Sequence, residues 1–169
     1  MIRKIIIIAV VIWYCYLSIQ MAPASEKIPM PKWTPTGQSI YVPVYSHIYS
    51  GDRGTPFLLA VTLSIRNLDP DHPITLLSAD YYDTNGKHLT NYIQTPVLIA
   101  PFSTTRFFVK ESDAAGGSGA KFLVRWKSER PVHPPLVEAI MIGAQNQQGI
   151  SFTSRGIVID ETRQENQSH

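Results

Sequence analysis

The chain has 169 residues, of which 15 are Lys or Arg, 13 are Asp or Glu, and one is a cysteine. Its formal charge of +2 comes from Arg3 and Lys4 alone, because the other 13 basic residues balance the 13 acidic ones. The sequence pI of 8.7 is therefore no footprint of nucleic acid or an anionic surface, and no basic run interleaved with aromatics points to a nucleic-acid partner.

Arg3-Lys4 precede an uncharged apolar run over 5–19, and Ala22-Pro23-Ala24 follow. A basic head, an apolar core and small residues in that order are the signature of an export signal. Cleavage after Ala24 would place Ala22 and Ala24 in the two small-residue positions. The run is shorter than the roughly 20 residues of a full membrane helix. Trp13, Tyr14 and Tyr16 are bulky for a signal core, however, and suit an interfacial belt, so a retained anchor is the competing reading. Cys15 follows Tyr14, not the small residue that lipid attachment wants. Beyond residue 24 about 145 residues remain, enough for one domain with one core. That part has no cysteine, so disulfides, thiol nucleophiles and thiolate metal sites are excluded from it.

Pro29, Pro31 and Pro35 lie among charges over 25–37, which reads as an extended tether. Next come short apolar or alternating runs bounded by turn residues. The first, 39–45, contains Pro43, which argues for an edge strand. In 57–67, Leu59, Val61, Leu63 and Ile65 share one face, while Ala60, Thr62, Ser64 and Arg66 share the other. The run 74–82 leads to Asn85-Gly86, a tight-turn signal. The run 95–100 is short, and 105–110 puts Thr105, Phe107 and Val109 on one side. In 121–127, Phe122, Val124 and Trp126 point inward, with Trp126 the candidate central aromatic. The run 137–144 is nearly all apolar, which suits an inner strand, and Met141 reads as core. In the last run, 151–160, Phe152 and Ile157 have odd spacing, and a bulge at Arg155-Gly156 would bring both inward.

No stretch has capped helical periodicity. The expected fold is an all-β, immunoglobulin-like antiparallel β-sandwich of about seven or eight strands. The expected organisation is a signal peptide or membrane anchor over 1–24, a tether over 25–37, the β-sandwich over 38–160 and a polar tail over 161–169.

Several segments carry a family likeness: Tyr41-Val42-Pro43, Tyr45-Ser46-His47-Ile48-Tyr49, Thr62-Leu63-Ser64-Ile65-Arg66-Asn67 and Asp80-Tyr81-Tyr82-Asp83-Thr84-Asn85-Gly86. Glu111-Ser112-Asp113 with Gly116-Gly117-Ser118-Gly119-Ala120, and Gly149-Ile150-Ser151-Phe152-Thr153-Ser154-Arg155-Gly156, belong with them. On these the chain from about Gly37 to Asp160 resembles a bacterial family of exported proteins filed as a domain of unknown function. The resemblance implies export to the periplasm or cell envelope and assigns no activity or catalytic residue.

The residues themselves offer few chemistries. His47, His72, His88, His133 and His169 lack the short spacing of a zinc site, and His72 and His133, each beside proline, read as solvated loop residues. Asp69, Asp71 and Asp113, with Asp80 and Asp83 nearby, are candidate calcium ligands in loops, although aspartate also initiates turns. Ser151, Ser154, His47 and Asp113 are the residue types of a nucleophilic triad, but Gly116-Gly117-Ser118-Gly119 only mimics a nucleophile turn, with no helix after it. Glu111 and Asp113 are a pair of carboxylates two apart. The glycines of 114–119 could aim N–H groups at an anion, or simply connect two strands. Gln145-Asn146-Gln147-Gln148-Gly149 leads to Ser151, Ser154 and Arg155. If that loop and 114–119 converge, Gly116, Gly117, Ser118, Gly119, Gln145, Ser151, Ser154 and Arg155 form a ligand or partner surface with Arg155 as anion clamp.

No motif implies a cofactor. The preferred expectation is a non-catalytic exported module that binds a protein or another envelope component and touches the membrane only through an uncleaved N-terminus. The alternatives are an exported hydrolase or small-ligand binder using loops 114–119 and 145–155, and a calcium-stabilised envelope module.

Overall fold

The computed structural model describes residues 34–163 except 51, 53 and 146. The expected export segment, most of the tether and the end of the tail, like Cys15, Asn146 and His169, lie outside the described residues. Every described regular element is a strand: β1 (Gly37–Pro43), β2 (His47–Ser50), β3 (Thr55–Leu58), β4 (Ala60–Arg66), β5 (Ile74–Tyr82), β6 (His88–Asn91), β7 (Val97–Ile99), β8 (Thr104–Val109), β9 (Lys121–Lys127), β10 (Leu136–Gln145), β11 (Gln148–Arg155) and β12 (Ile157–Thr162). The pairings between these described strands are antiparallel.

A six-stranded sheet has the order β12-β1-β9-β5-β6, with β7 also on β5; a four-stranded sheet has the order β11-β10-β4-β8; β2 and β3 form a separate hairpin. The two larger sheets share one core. Ile40, Val42, Leu76, Tyr81, Phe122, Val124 and Trp126 enter it from the first, and Val61, Leu63, Ile65, Val109, Val137, Ala139 and Met141 from the second. Alternation explains the arrangement: Val61, Leu63 and Ile65 of β4 are all fully buried, as period two demands of one strand face. β10 lies between β11 and β4, so its nearly continuous apolar run belongs to an inner strand. Gly86, with φ +85°, makes the β5–β6 turn and donates its N–H to Asp83 O at 3.1 Å.

The described strands number twelve rather than seven or eight, and four further expectations need correction. The run 57–67 is not one strand, because the Leu59 N–H turns to Ser46 O at 2.9 Å and β3 pairs with β2 while β4 joins the sheet. The run 151–160 is also two strands, β11 and β12, and they lie in different sheets. Gly156 is the corner rather than a bulge: its N–H donates to Val137 O at 2.9 Å, and a Cβ there would press on Ile40 and Val42. Phe152 packs on the core while Ile157 is 62% exposed. β1 is inner, between β12 and β9, and Pro43 survives there because Val44 donates toward Ala120 on the β9 side. The ring nitrogen of Pro43 then faces the β12 side, where pairing stops at Tyr41. Finally, β2 and β6 are strands although nothing in their four residues alternates clearly.

Candidate functional site

Sheet register gives the four-stranded sheet a well-defined outer face, because directly opposed residues point the same way. One cross-strand row is Arg155, Glu138, Ser64 and Arg106. The next is Thr153, Ile140, Thr62 and Phe108, and the third is Ser151, Ile142 and Ala60. Phe108 is 57% exposed and Ile142 53%. Ile140 and Ala60 are half-buried beside them, and small hydroxyl residues fill the remaining positions. The result is an open apolar patch in which Ile140, Ile142, Ala60 and Phe108 surround Thr62.

The rim of this patch is basic. Arg155, Arg106 and Arg66 are exposed, and Lys110 follows β8. The one carboxylate in the rows, Glu138, is held by Arg66 Nη2 at 3.3 Å. An exposed pair of this kind contributes little to stability.

The expected surface residues separate. Ser151 and Arg155 lie on this outer face, whereas Ser154 faces the other way and its hydroxyl donates to Pro43 O. Gln145 opposes Gln148 at the far end of β11, about 23 Å along the strand from Arg155. Loop 114–119 is tied to the chain at Ser46 and Thr84. The Gly117 N–H donates to Ser46 Oγ at 2.8 Å, and the Gly119 N–H to Thr84 Oγ1 at 3.0 Å. Thr84 also donates its N–H and hydroxyl to Gly116 O, at 2.9 and 3.1 Å. Those donors are spent on the fold, so Gly117 and Gly119 do not present them to an anion. Gly116 packs against Tyr81, and a Cβ there would strike the phenol. Burial, and then the charge of Asp113, push the Tyr81 hydroxyl up to about 12.

A second cluster forms where β4 ends. Asn67, fully buried, donates from Nδ2 to His72 O, Ile99 O and Ala100 O at 2.8, 3.2 and 3.1 Å. Its Oδ1 accepts the Asp69 N–H at 3.0 Å. Asp69, 1% exposed, accepts the N–H groups of Asp71 and His72 on Oδ1 at 3.0 and 2.8 Å, and that of His133 on Oδ2 at 3.0 Å. The Nδ1 atoms of His72 and His133 lie 3.1 and 3.3 Å from the same carboxylate. A carboxylate only accepts, so in these contacts Nδ1 carries the proton. Burial works to raise the Asp69 pKa, but the N–H donors of His133, Asp71 and His72 outweigh it and hold it down to about 2.

This corrects the reading of His133 as a solvated loop residue, since its side chain is only 12% exposed; His72 keeps 38% exposure, and both clasp a buried carboxylate. It also weakens Asp69 as a calcium ligand, because both oxygens are already taken. Asp113 Oδ1 caps its own turn through the Ala115 N–H at 3.1 Å. Among the described residues no three His, Cys, Asp or Glu side chains converge on a metal position.

His72 lines a cleft of about 190 Å³ with Pro73, Thr75, Leu98, Ser128, Glu129 and Arg130. The imidazole there is oriented by Asp69, as a general base would be. Ser128 Oγ, however, donates to Pro73 O and accepts the Arg130 N–H, both at 3.4 Å.

Two antiparallel sheets closing on one core, with a bare apolar patch on one of them, define an all-β domain built like a sandwich. The chain belongs to the family described as "Protein of unknown function (DUF3124)", whose model matches residues 37–159. The resemblance read from the segments between Gly37 and Asp160 is thereby borne out. No curated protein matches the sequence. The crystal structure of Thermotoga maritima 1070 is similar with 11% identity and a TM-score of 0.44, over 71% of this chain and 92% of that one.

Proposed function

We propose that the protein is an exported, non-catalytic module of the bacterial envelope, an immunoglobulin-like sandwich that binds a protein partner. The observation that carries this reading is the outer face of the four-stranded sheet. Phe108 and Ile142 stand more than half exposed there, on regular strands, with Ile140 next to Ile142 on β10 and Thr62 of β4 between Ile140 and Phe108. Large apolar side chains grouped on a sheet, rather than scattered singly, mark association surfaces. The rim adds direction: Arg66, Arg106, Arg155 and Lys110 outnumber Glu138, so the favoured partner presents carboxylates around an apolar centre. Two such faces from copies of this chain would oppose arginine to arginine.

Ser151 and Arg155 take part as surface residues of this face. Gln145 and the 116–119 glycines lie outside it. The test is native electrophoresis of envelope extracts from cells carrying Phe108→Ser with Ile142→Ser. The reading expects the wild-type chain to migrate in a discrete larger assembly and the double variant to run at its own size. Identical migration of both would overturn it.

A further inference from the structure

The first described residues are sewn into the loop end that Asp69 braces. Ser128 donates its N–H to Thr36 O at 2.7 Å, and Val132 donates to Pro35 O at 3.2 Å. Val132 is the neighbour of His133, whose N–H reaches Asp69. The chain over 1–33 therefore joins the domain beside the 67–73, 98–103 and 128–133 segments.

That same end carries three large apolar side chains open to solvent: Leu68 at 41%, Leu98 at 67% and Phe102 at 63%. All three sit on braced backbone. Leu98 is in β7, opposite Thr75. Leu68 lies between Asn67 and Asp69, both buried and hydrogen-bonded. Phe102 donates its N–H to Asp69 O at 3.3 Å and has φ +52°, a left-handed conformation unusual for a bulky residue. The Ser103 N–H to Ala100 O and the Asn67 N–H to Ser103 O close that turn. A rigid turn thus holds an aromatic ring out in water, where nothing in the core requires it.

We infer that this end of the domain rests on a lipid bilayer, with Phe102, Leu98 and Leu68 entering the interface beside the point where residues 1–33 join. In the chain that keeps residues 1–24, two lipid-seeking features lie together. An uncharged apolar run over 5–19, headed by Arg3 and Lys4, is joined through residues 20–33 to the end of the domain that exposes these side chains. A weak interfacial contact becomes effective when a second lipid-seeking segment on the same chain raises its local concentration. The exposed charges nearby balance, Lys127 and Arg130 against Asp71 and Glu129, so the contact is apolar and needs no anionic lipid. The inference is independent of the partner face and leaves that face open to the side.

The test uses the full chain reconstituted in phosphatidylcholine vesicles, with and without brominated phosphatidylcholine as a quencher. Phe102→Trp and Leu98→Trp each add an indole at the proposed contact, and Ile142→Trp adds one on the four-stranded sheet. The emission added over wild type at positions 102 and 98 should be lost to the brominated lipid, and that added at 142 retained. Retention at both 102 and 98 would overturn the inference, as would equal loss at all three positions. A blue shift at 102 and 98 without bromine quenching would assign the patch to a protein or a second copy instead, and also overturns it. Leu98→Trp lies in a regular strand and keeps the test readable if Phe102→Trp disturbs its turn.

Discussion

Asp69→Asn removes the centre of the loop end while nearly preserving its volume. In the wild type three backbone N–H groups and two imidazole Nδ1 atoms converge on one buried carboxylate. An amide offers one oxygen in place of two, so at least one side of it turns N–H against N–H. Leaving donors to a buried charge unmatched costs about 3 kcal/mol. An independent figure comes from protonation. A carboxyl held at about 2 rather than 3.8 is worth about 2 kcal/mol to the folded state. The second figure is smaller because a protonated carboxyl still accepts on one oxygen. The sign follows from the depressed folded pKa: this stability is present above the unfolded value and is lost as pH falls through the folded one. Urea unfolding followed by tryptophan fluorescence measures both. The variant should be about 3 kcal/mol less stable at neutral pH, with the gap narrowing steadily as pH falls towards 2. A gap below about 0.5 kcal/mol at neutral pH, the range of an ordinary surface change, would refute the reasoning. So would a gap that stays constant with pH.

Other consequences are simpler to read. Gly116→Ala drives a methyl into the Tyr81 phenol and to 2.8 Å from Ala120 Cβ, so the melting temperature should fall by about 5–10 °C. In ultraviolet titration one tyrosine should ionise last, near 12, and Asp113→Asn should bring it down. Because the folded pKa of Tyr81 is the raised one, its contribution is present at neutral pH and is lost as pH climbs past about 10. Phe108→Ser and Ile142→Ser, both on the open face, should each change unfolding free energy by less than about 0.5 kcal/mol, so that any loss of assembly is a surface effect.

The sequence made the core legible wherever one face alternates. Val61 through Ile65, and Phe122 through Trp126, point where period two sends them, because burying one face leaves a strand no other register. It misled where the chain changes sheets. Gly156 looked like a bulge glycine, since a corner and a bulge both ask for a residue without Cβ. The outer-face patch was half visible: neighbours on a strand face opposite ways, so of Phe107 and Phe108 one had to point outward. What sequence could not supply was the pairing that sets Phe108 in the row of Ile140. The Asp69 clasp was further out of reach. Asp69-Pro70-Asp71-His72 announces a turn, but His133 stands 64 residues away and meets the carboxylate through tertiary structure, in a fold where β9 pairs with β5.

The central claim is that the face bearing Phe108 and Ile142 meets a protein, and photocrosslinking in intact cells tests it most directly. A benzophenone amino acid placed at 108, at 142 and, as control, at Leu123 on the outer face of the six-stranded sheet reports what touches each surface. Positions 108 and 142 should yield one and the same protein adduct, weakened by Arg155→Glu, and position 123 should not yield it. Absence of that shared adduct, or its appearance from 123 with equal yield, would contradict the account.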